Sequence, residues 1–387
     1  MALLLPWSLA CNALFGIDDL EFDADGSGGA GGGTTTTTAT DGGGTGTTTG
    51  TAGGGGGSAP VADYAYRREL TLLDIGDAPL GPNYALSFVI DHEALVAAGK
   101  ARSDGEDLRV TWESALAEVT ELHRVVDPAS SWNAQQTRVW FETTPLAHAE
   151  HGGYWLLYGL DQPPPALDDP AEVFLLWDDF DSDDTNGWSF AAIDAVSGNE
   201  QRQNGMLRLT TRSGSIYGTA DAFVFLHRPI SGDFVADLHV AGFGGTTGDW
   251  SHLGGAMVRQ HLGNGSRHVT GTVVVQPDPG AEILSRGTDG GASGHELASV
   301  ANPVPGYVRV TRLGDDVSAA HSLDGRTWTQ AGATRTVTDS FVDPVLVGIP
   351  FNNADLGTAG WIEVDWFRLR RTMPAEPTVT VGDEQLR

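Results

Sequence analysis

The residues best equipped for chemistry in this sequence are carboxylates. Glu363-Val364-Asp365 places two of them at alternate positions. On a strand such residues face the same side, so both can meet one substrate as an acid–base pair. A second group, Asp178, Asp179, Asp181, Asp183, Asp184 and Asn186, crowds one short stretch. Like charges so close are costly unless water or a cation neutralises them, and calcium suits an all-oxygen set. The stretch predicts either a structural Ca2+ on acids such as Asp179 and Asp181 or a solvated acidic turn. The histidines offer less. His148 and His151 are three apart and His92 follows Asp91, but neither set has a third ligand at metal-site spacing. The sequence has no nucleophile elbow, no His-Glu-x-x-His and no phosphate-binding glycine loop. Tyr217, Trp250 and His252 lie in or near Gly-rich turns. An aromatic face there can stack on the C–H groups of a sugar while carboxylates and amides bond its hydroxyls, so these three are the candidate carbohydrate contacts.

Such groups need strands to hold them, and the composition points to strands. Eleven Trp and 52 Gly against four Met fit a chain of turns and half-buried strands better than a helical bundle. The net charge of −29 sets nucleic acid aside, because phosphate binding needs clustered Lys and Arg.

The one cysteine, Cys11, rules out an internal disulfide and closes the apolar run Leu3-Leu4-Leu5-Pro6-Trp7-Ser8-Leu9-Ala10. That run is too short to span a bilayer but has the length of a signal-peptide core. Ser8-Leu9-Ala10-Cys11 resembles the lipobox of bacterial lipoproteins. The resemblance implies a lipidated Cys11 at the mature N-terminus, export, and a membrane contact through the lipid anchor alone; the alternative is a buried or incidental cysteine in a plain secretory leader. Asn12 implies the outer membrane or cell surface. Residues 1–11 are thus the leader and 12–25 a short acidic and apolar segment. Residues 26–60, nearly all Gly, Thr, Ser and Ala, read as a disordered tether. Its root-mean-square reach is roughly 30 Å.

From Tyr64 the chain turns to short alternating runs such as Leu70-Thr71-Leu72, Leu86-Ser87-Phe88-Val89-Ile90 and Tyr154-Trp155-Leu156-Leu157-Tyr158. These predict a β-sandwich over 61–162. One helix is predicted from an Asp91 cap to Gly99. Tyr66-Arg67-Arg68, Asp104 to Arg109, Trp132-Asn133, Val139-Trp140 and Tyr154 to Gly159 together resemble the bacterial domain of unknown function 2341. The resemblance implies an accessory β-domain with no established catalytic residues. A Pro-rich link is expected over 163–172, then a larger β-sandwich over 173–371 and a tail over 372–387.

Trp177-Asp178-Asp179-Phe180-Asp181, Gly254 to Arg259, Ser322 to Trp328 and Ile362 to Leu369 resemble the concanavalin A-like lectin/glucanase superfamily. The resemblance implies a jelly roll whose first-strand and last-strand acids share a structural calcium, which adds Asp365 to Asp179 and Asp181 as a ligand. Glucanases of that superfamily carry a second Glu beyond the Glu-x-Asp pair. Phe367 and Arg368 stand there in this chain, so Glu363 and Asp365 read as structural. Ser322 to Trp328 also resembles an Asp-box, with Asp324-Gly325 expected to supply positive φ angles and Trp328 to pack beneath.

The sequence thus predicts an all-β, noncatalytic surface lipoprotein that displays a sandwich for a glycan or an extracellular matrix component. The alternatives are a glycoside hydrolase or lyase with an unfamiliar acid pair, and a purely structural envelope protein. Replacing Cys11 with Ala should abolish fatty-acid labelling and release the protein from membranes. Labelling that persists in the variant would count against lipidation.

Overall fold

The computed structural model describes residues 63–74, 80–81, 84–144, 152–182, 185–245, 252–275, 278–354 and 359–387. Cys11, the tether, His148, His151, Asp183, Asp184 and Trp250 lie outside them. The chain forms two antiparallel β-sandwiches, each with its own core.

In the first sandwich, Tyr66–Leu73, Tyr154–Tyr158, Arg109–Glu113 and Val119–Leu122 make one sheet. Ala85–Ile90, Thr137–Glu142 and Arg124–Val126 make the other. Alternation places Leu70 and Leu72, Leu86 and Phe88, Val139 and Phe141, and Tyr154, Leu156 and Tyr158 in one core. The predicted helix is His92–Ala97, where Asp91 Oδ1 accepts from Ala94 N at 2.9 Å.

Residues 372–387, expected as a tail, belong to this sandwich. Thr378–Val381 and Gln385–Leu386 both pair with Tyr66–Leu73, and Val379 and Val381 pack on its core. Glu384 accepts from Tyr158 Oη at 2.9 Å and pairs with Lys100. A lone Glu in a polar run gave no signal of this, because the partners lie more than 200 positions away. The first sheet therefore closes only after the second sandwich has been completed.

The Pro-rich link is not a free spacer either. Leu167 O accepts from Arg124 N, and Pro164 O from Arg109. Pro170 opens a short helix, Pro170–Val173, capped by Asp169, a position that tolerates the missing N–H. Val173 and Phe174 then pack with Trp140 and Ala85 of the first sandwich.

The second sandwich opposes a nine-stranded and a seven-stranded sheet. The first has Leu207–Thr211, Gly360–Arg371, Phe234–Gly244, Gly306–Leu313 and Asp316–Ser322 at its centre. The second runs Gly294–Ser299, Gly280–Arg286, His268–Val274, His252–Arg259, Val345–Asn353, Phe223–Ile230, Ser189–Ile193. Leu209, Leu238, Val258, Val269, Ile283, Val310, Ile349 and Val364 fill the space between.

Val379→Ala and Val381→Ala should each cost about 1 kcal/mol, since each removes partly buried methyl groups. Urea unfolding measures this, and an unattached tail would give no change.

Candidate functional site

On the Gly360–Arg371 strand, Ile362, Val364, Phe367 and Leu369 reach the core. Two residues, Asp365 and Trp366, stand between Val364 and Phe367, so the alternation slips by one. A register shift against Phe234–Gly244 absorbs the slip. Past it, Arg368 and Arg370 alternate with the core residues on the outer face, which the first sandwich meets.

Arg368 is the centre of that meeting. Its guanidinium, almost wholly buried, donates to Asp127 Oδ2 of the first sandwich at 2.9 Å and to Asp237 Oδ2 of the second at 3.0 Å. It stacks over Trp140 at 4.7 Å and Trp366 at 5.3 Å. Arg309 holds Asp237 from the other side through two bonds of 2.6 and 2.9 Å. Trp140 Nε1 donates to Asp127 Oδ2 at 2.6 Å. Burial alone would raise both carboxyls. The guanidinium groups of Arg309 and Arg368 outweigh it at Asp237, and Arg368 does so at Asp127, so both are held below the usual carboxylate range.

A cleft of about 700 Å³ opens beside this network. Its walls come from the first sandwich (Ala85 to Val89, Asp127, Arg138, Trp140), the second (Arg309, Arg326, Trp328, Arg368, Arg370) and the C-terminal strand region from Glu376 to Val381. The Asp-box hairpin forms one rim. Asp324 Oδ1 accepts from Arg326 N at 2.8 Å and Thr327 N at 2.7 Å, and these backbone donors bring its carboxyl down to about 2. Only Gly325 takes a positive φ, +69°; Asp324 acts through its side chain instead. A Cβ on Gly325 would lie 2.4 Å from Ala129 Cβ, so glycine lets the hairpin touch the first sandwich. Trp328 is not packed into the core as expected. It is half-buried, with Arg309 3.9 Å above its ring.

The residues predicted from sequence are dispersed. His252 is fully buried, so it cannot meet a ligand at the surface. Tyr217 is half-buried, and its hydroxyl donates to both oxygens of Glu282 at 2.9 Å. Trp250 lies outside the described residues. Tyr217 belongs to a segment that covers the outer face of the seven-stranded sheet. There Ile216 packs on Phe223, Phe225 and Met257, and buried Asp221 bonds Arg286 at 2.7 Å and Arg259 at 3.3 Å.

The expected calcium ligands are not gathered. Asp365 accepts from His239 at 2.8 Å, Asp179 accepts from Asp181 N at 3.2 Å, and Asp178 accepts from Trp188 Nε1 at 2.8 Å and pairs with Arg202. Part of the neutralisation expected from a cation thus comes from Arg202. Among the described residues no group of three such side chains can hold a metal ion. Glu363 pairs with Arg208, so the Glu363 and Asp365 carboxylates each have a basic partner.

Sequence reasoning missed the arginines of the cleft. Phe367-Arg368-Leu369-Arg370 shows them at outward strand positions, but nothing local says that a second sandwich covers that face.

Fold and site together define a class: an all-β protein of two sandwiches with a polar, arginine-rich cleft between them. No protein-family model and no curated protein matches the chain. Among solved structures it is similar to a functionally unknown protein from Saccharomyces cerevisiae, at 17% identity and TM-score 0.39 over 49% of this chain and 99% of that one. A GH43 protein from Bacillus licheniformis matches at 16% identity and TM-score 0.42, over 70% of this chain and 55% of that chain, so the match spans about half of that protein. LamAcat from Zobellia galactanivorans matches at 9% identity and TM-score 0.35, over 51% of this chain and 97% of that one. Likeness at this level assigns no activity.

Arg368→Leu would strip both buried carboxylates of a partner, at an expected cost of about 3–5 kcal/mol. A carboxyl depressed in the folded state stabilises above its unfolded pKa of about 4 and loses that contribution as pH falls toward its folded value. The cost should therefore shrink below about pH 4. Denaturant unfolding at pH 7 and pH 3.5 measures both, and a small, pH-independent cost would show that the bridge does not form.

Proposed function

We propose that this chain is an exported surface protein, anchored through Cys11, that binds glycan in the cleft between its sandwiches without cleaving it. The observation that carries the reading is the cleft itself. Its volume of about 700 Å³ falls within the range of small-ligand sites, and indole rings and fixed guanidinium donors share its walls. Sugars are bound by such a mixture, with C–H faces on aromatic rings and hydroxyls on planar donors.

The carboxylates lining the cleft are Asp127 and Glu376. Each is occupied by an arginine, Asp127 by Arg368 and Glu376 by Arg370. Asp127, held below the usual range, carries no proton near neutrality to give a leaving group. A structural calcium, for which the described residues supply no ligand set, has no part in this reading. Glycan is favoured over a matrix protein because the opening is a bounded cleft rather than a broad apolar face.

One observation favours a hydrolase as the second reading. Burial raises the pKa of Glu282, as a general acid requires, while bonds from Tyr217 and His295 oppose the shift. A glycosidase needs a second carboxylate within about 10 Å, whereas the groups bonded to Glu282 are the Tyr217 hydroxyl and the His295 imidazole.

Affinity electrophoresis in gels carrying plant and algal polysaccharides tests the proposal. At least one should retard the protein, and Trp328→Ala should weaken binding roughly three- to tenfold. No reducing sugar should be released on long incubation. Hydrolysis that disappears in Glu282→Gln would establish the enzyme instead.

A further inference from the structure

The cleft gathers basic side chains in a chain that is acidic as a whole. The protein has 22 Lys and Arg against 51 Asp and Glu, yet five of its arginines, Arg138, Arg309, Arg326, Arg368 and Arg370, line this one cavity. The carboxylates set among them are Asp127 and Glu376 on the wall and Asp237 beneath it. Arg368, Arg309 and Arg370 are spent on those three.

Arg138 and Arg326 are not spent. Arg138 donates to Ser87 Oγ at 3.0 Å, and Arg326 Nε to the Ala129 carbonyl at 3.2 Å. Neither forms an ion pair among the described residues. Arg138 is half-buried, and burial together with Arg368, Arg309 and Arg326 disfavours its charge, with Asp127 opposing. A half-buried guanidinium with other guanidiniums as neighbours is an unfavourable arrangement that an anion would relieve.

We infer that the ligand of this cleft is an anionic glycan, bound through carboxylate or sulfate groups to Arg138 and Arg326. The inference rests on the glycan reading given above and adds the charge of the ligand. A planar guanidinium matches both oxyanions through paired, charge-assisted N–H bonds, which are stronger than those it gives to neutral sugar hydroxyls. The net charge of −29 adds selectivity, since it opposes the approach of a polymer that is charged along its whole length. A ligand with a few spaced oxyanions therefore fits better than a continuous phosphate backbone.

The test is affinity electrophoresis of the full chain at low and at 0.3 M salt. The gels carry a largely methyl-esterified pectin for spaced carboxylates, a sparsely sulfated galactan for the sulfate, neutral xylan, or duplex DNA. One or both acidic glycans should bind at least tenfold tighter than xylan and weaken in salt. Arg138→Gln with Arg326→Gln should cost tenfold or more on the acidic glycan, because charge-assisted bonds are lost. An unchanged melting temperature shows the double variant is folded. Should it melt early, Arg326→Gln alone, at an exposed position, keeps the test and should still cost several-fold.

Equal binding of xylan and the acidic polymers, or no loss in the variants, overturns the anionic ligand and leaves a neutral-glycan reading standing. Inorganic sulfate that raises the melting temperature through Arg138 and Arg326 while no glycan binds overturns the glycan reading and keeps an anion site. DNA binding as tight as the glycans overturns the assignment of the ligand class.

Discussion

The relation between the two sandwiches rests on one buried cation. Arg368 sits on the longest strand of the second sandwich and is shared by Asp127 from the first and Asp237 from the second. Such a bridge adds little net stability, since desolvating three charges consumes most of their attraction. What it does is exclude alternatives. Asp127 of the first sandwich keeps its charged partner only where that sandwich meets Arg368, which disfavours other docking angles. The indole of Trp140 makes the site stricter by donating to the same Asp127 oxygen over which Arg368 is placed.

The path of the chain reinforces that constraint. It leaves the first sandwich through a proline-rich segment that stays bonded to Arg109 and Arg124, builds the second sandwich, and returns to pair with Tyr66–Leu73. The second sandwich is therefore fastened to the first at both of its ends. Relative domain motion, the usual expectation for modules joined by a single linker, is opposed by covalent return as well as by contact. A cleft framed by three separate stretches of chain is preorganised, and preorganisation lowers the ordering cost of binding.

The two outer faces of the second sandwich have opposite fates. On the seven-stranded sheet, the segment carrying Ile216, Tyr217 and Asp221 lies over the strands and buries Phe223, Phe225, Met257 and Arg286. On the nine-stranded sheet, the bulge at Asp365 and Trp366 leads to an arginine-rich surface that is only partly covered. The cleft therefore lies on the second face, whereas Tyr217 and His252 belong to the first. Tyr217 and His252 were read as surface residues because glycine-rich neighbours suggest exposed turns. His252 instead opens a central strand and Tyr217 lies against Glu282 of the same sheet, long-range placements that glycine content does not report.

By itself the sequence determined the strands, because alternation such as Leu86-Ser87-Phe88 or Ile362-Glu363-Val364 is a local property that each strand carries. It also determined the all-β class, the Asp91-capped helix and the Asp-box turn, since caps and turns are set by residues a few positions apart. Only the tertiary structure decided which outward residues would meet. Asp127, Asp237, Arg309 and Arg368 come from four strands or loops of two sandwiches, and the C-terminal strands close a sheet begun some 300 positions earlier. Strand alternation says which face a side chain takes. It carries no information about what is brought against that face, because that is settled by the packing of whole sheets and by the need of each buried charge for a partner.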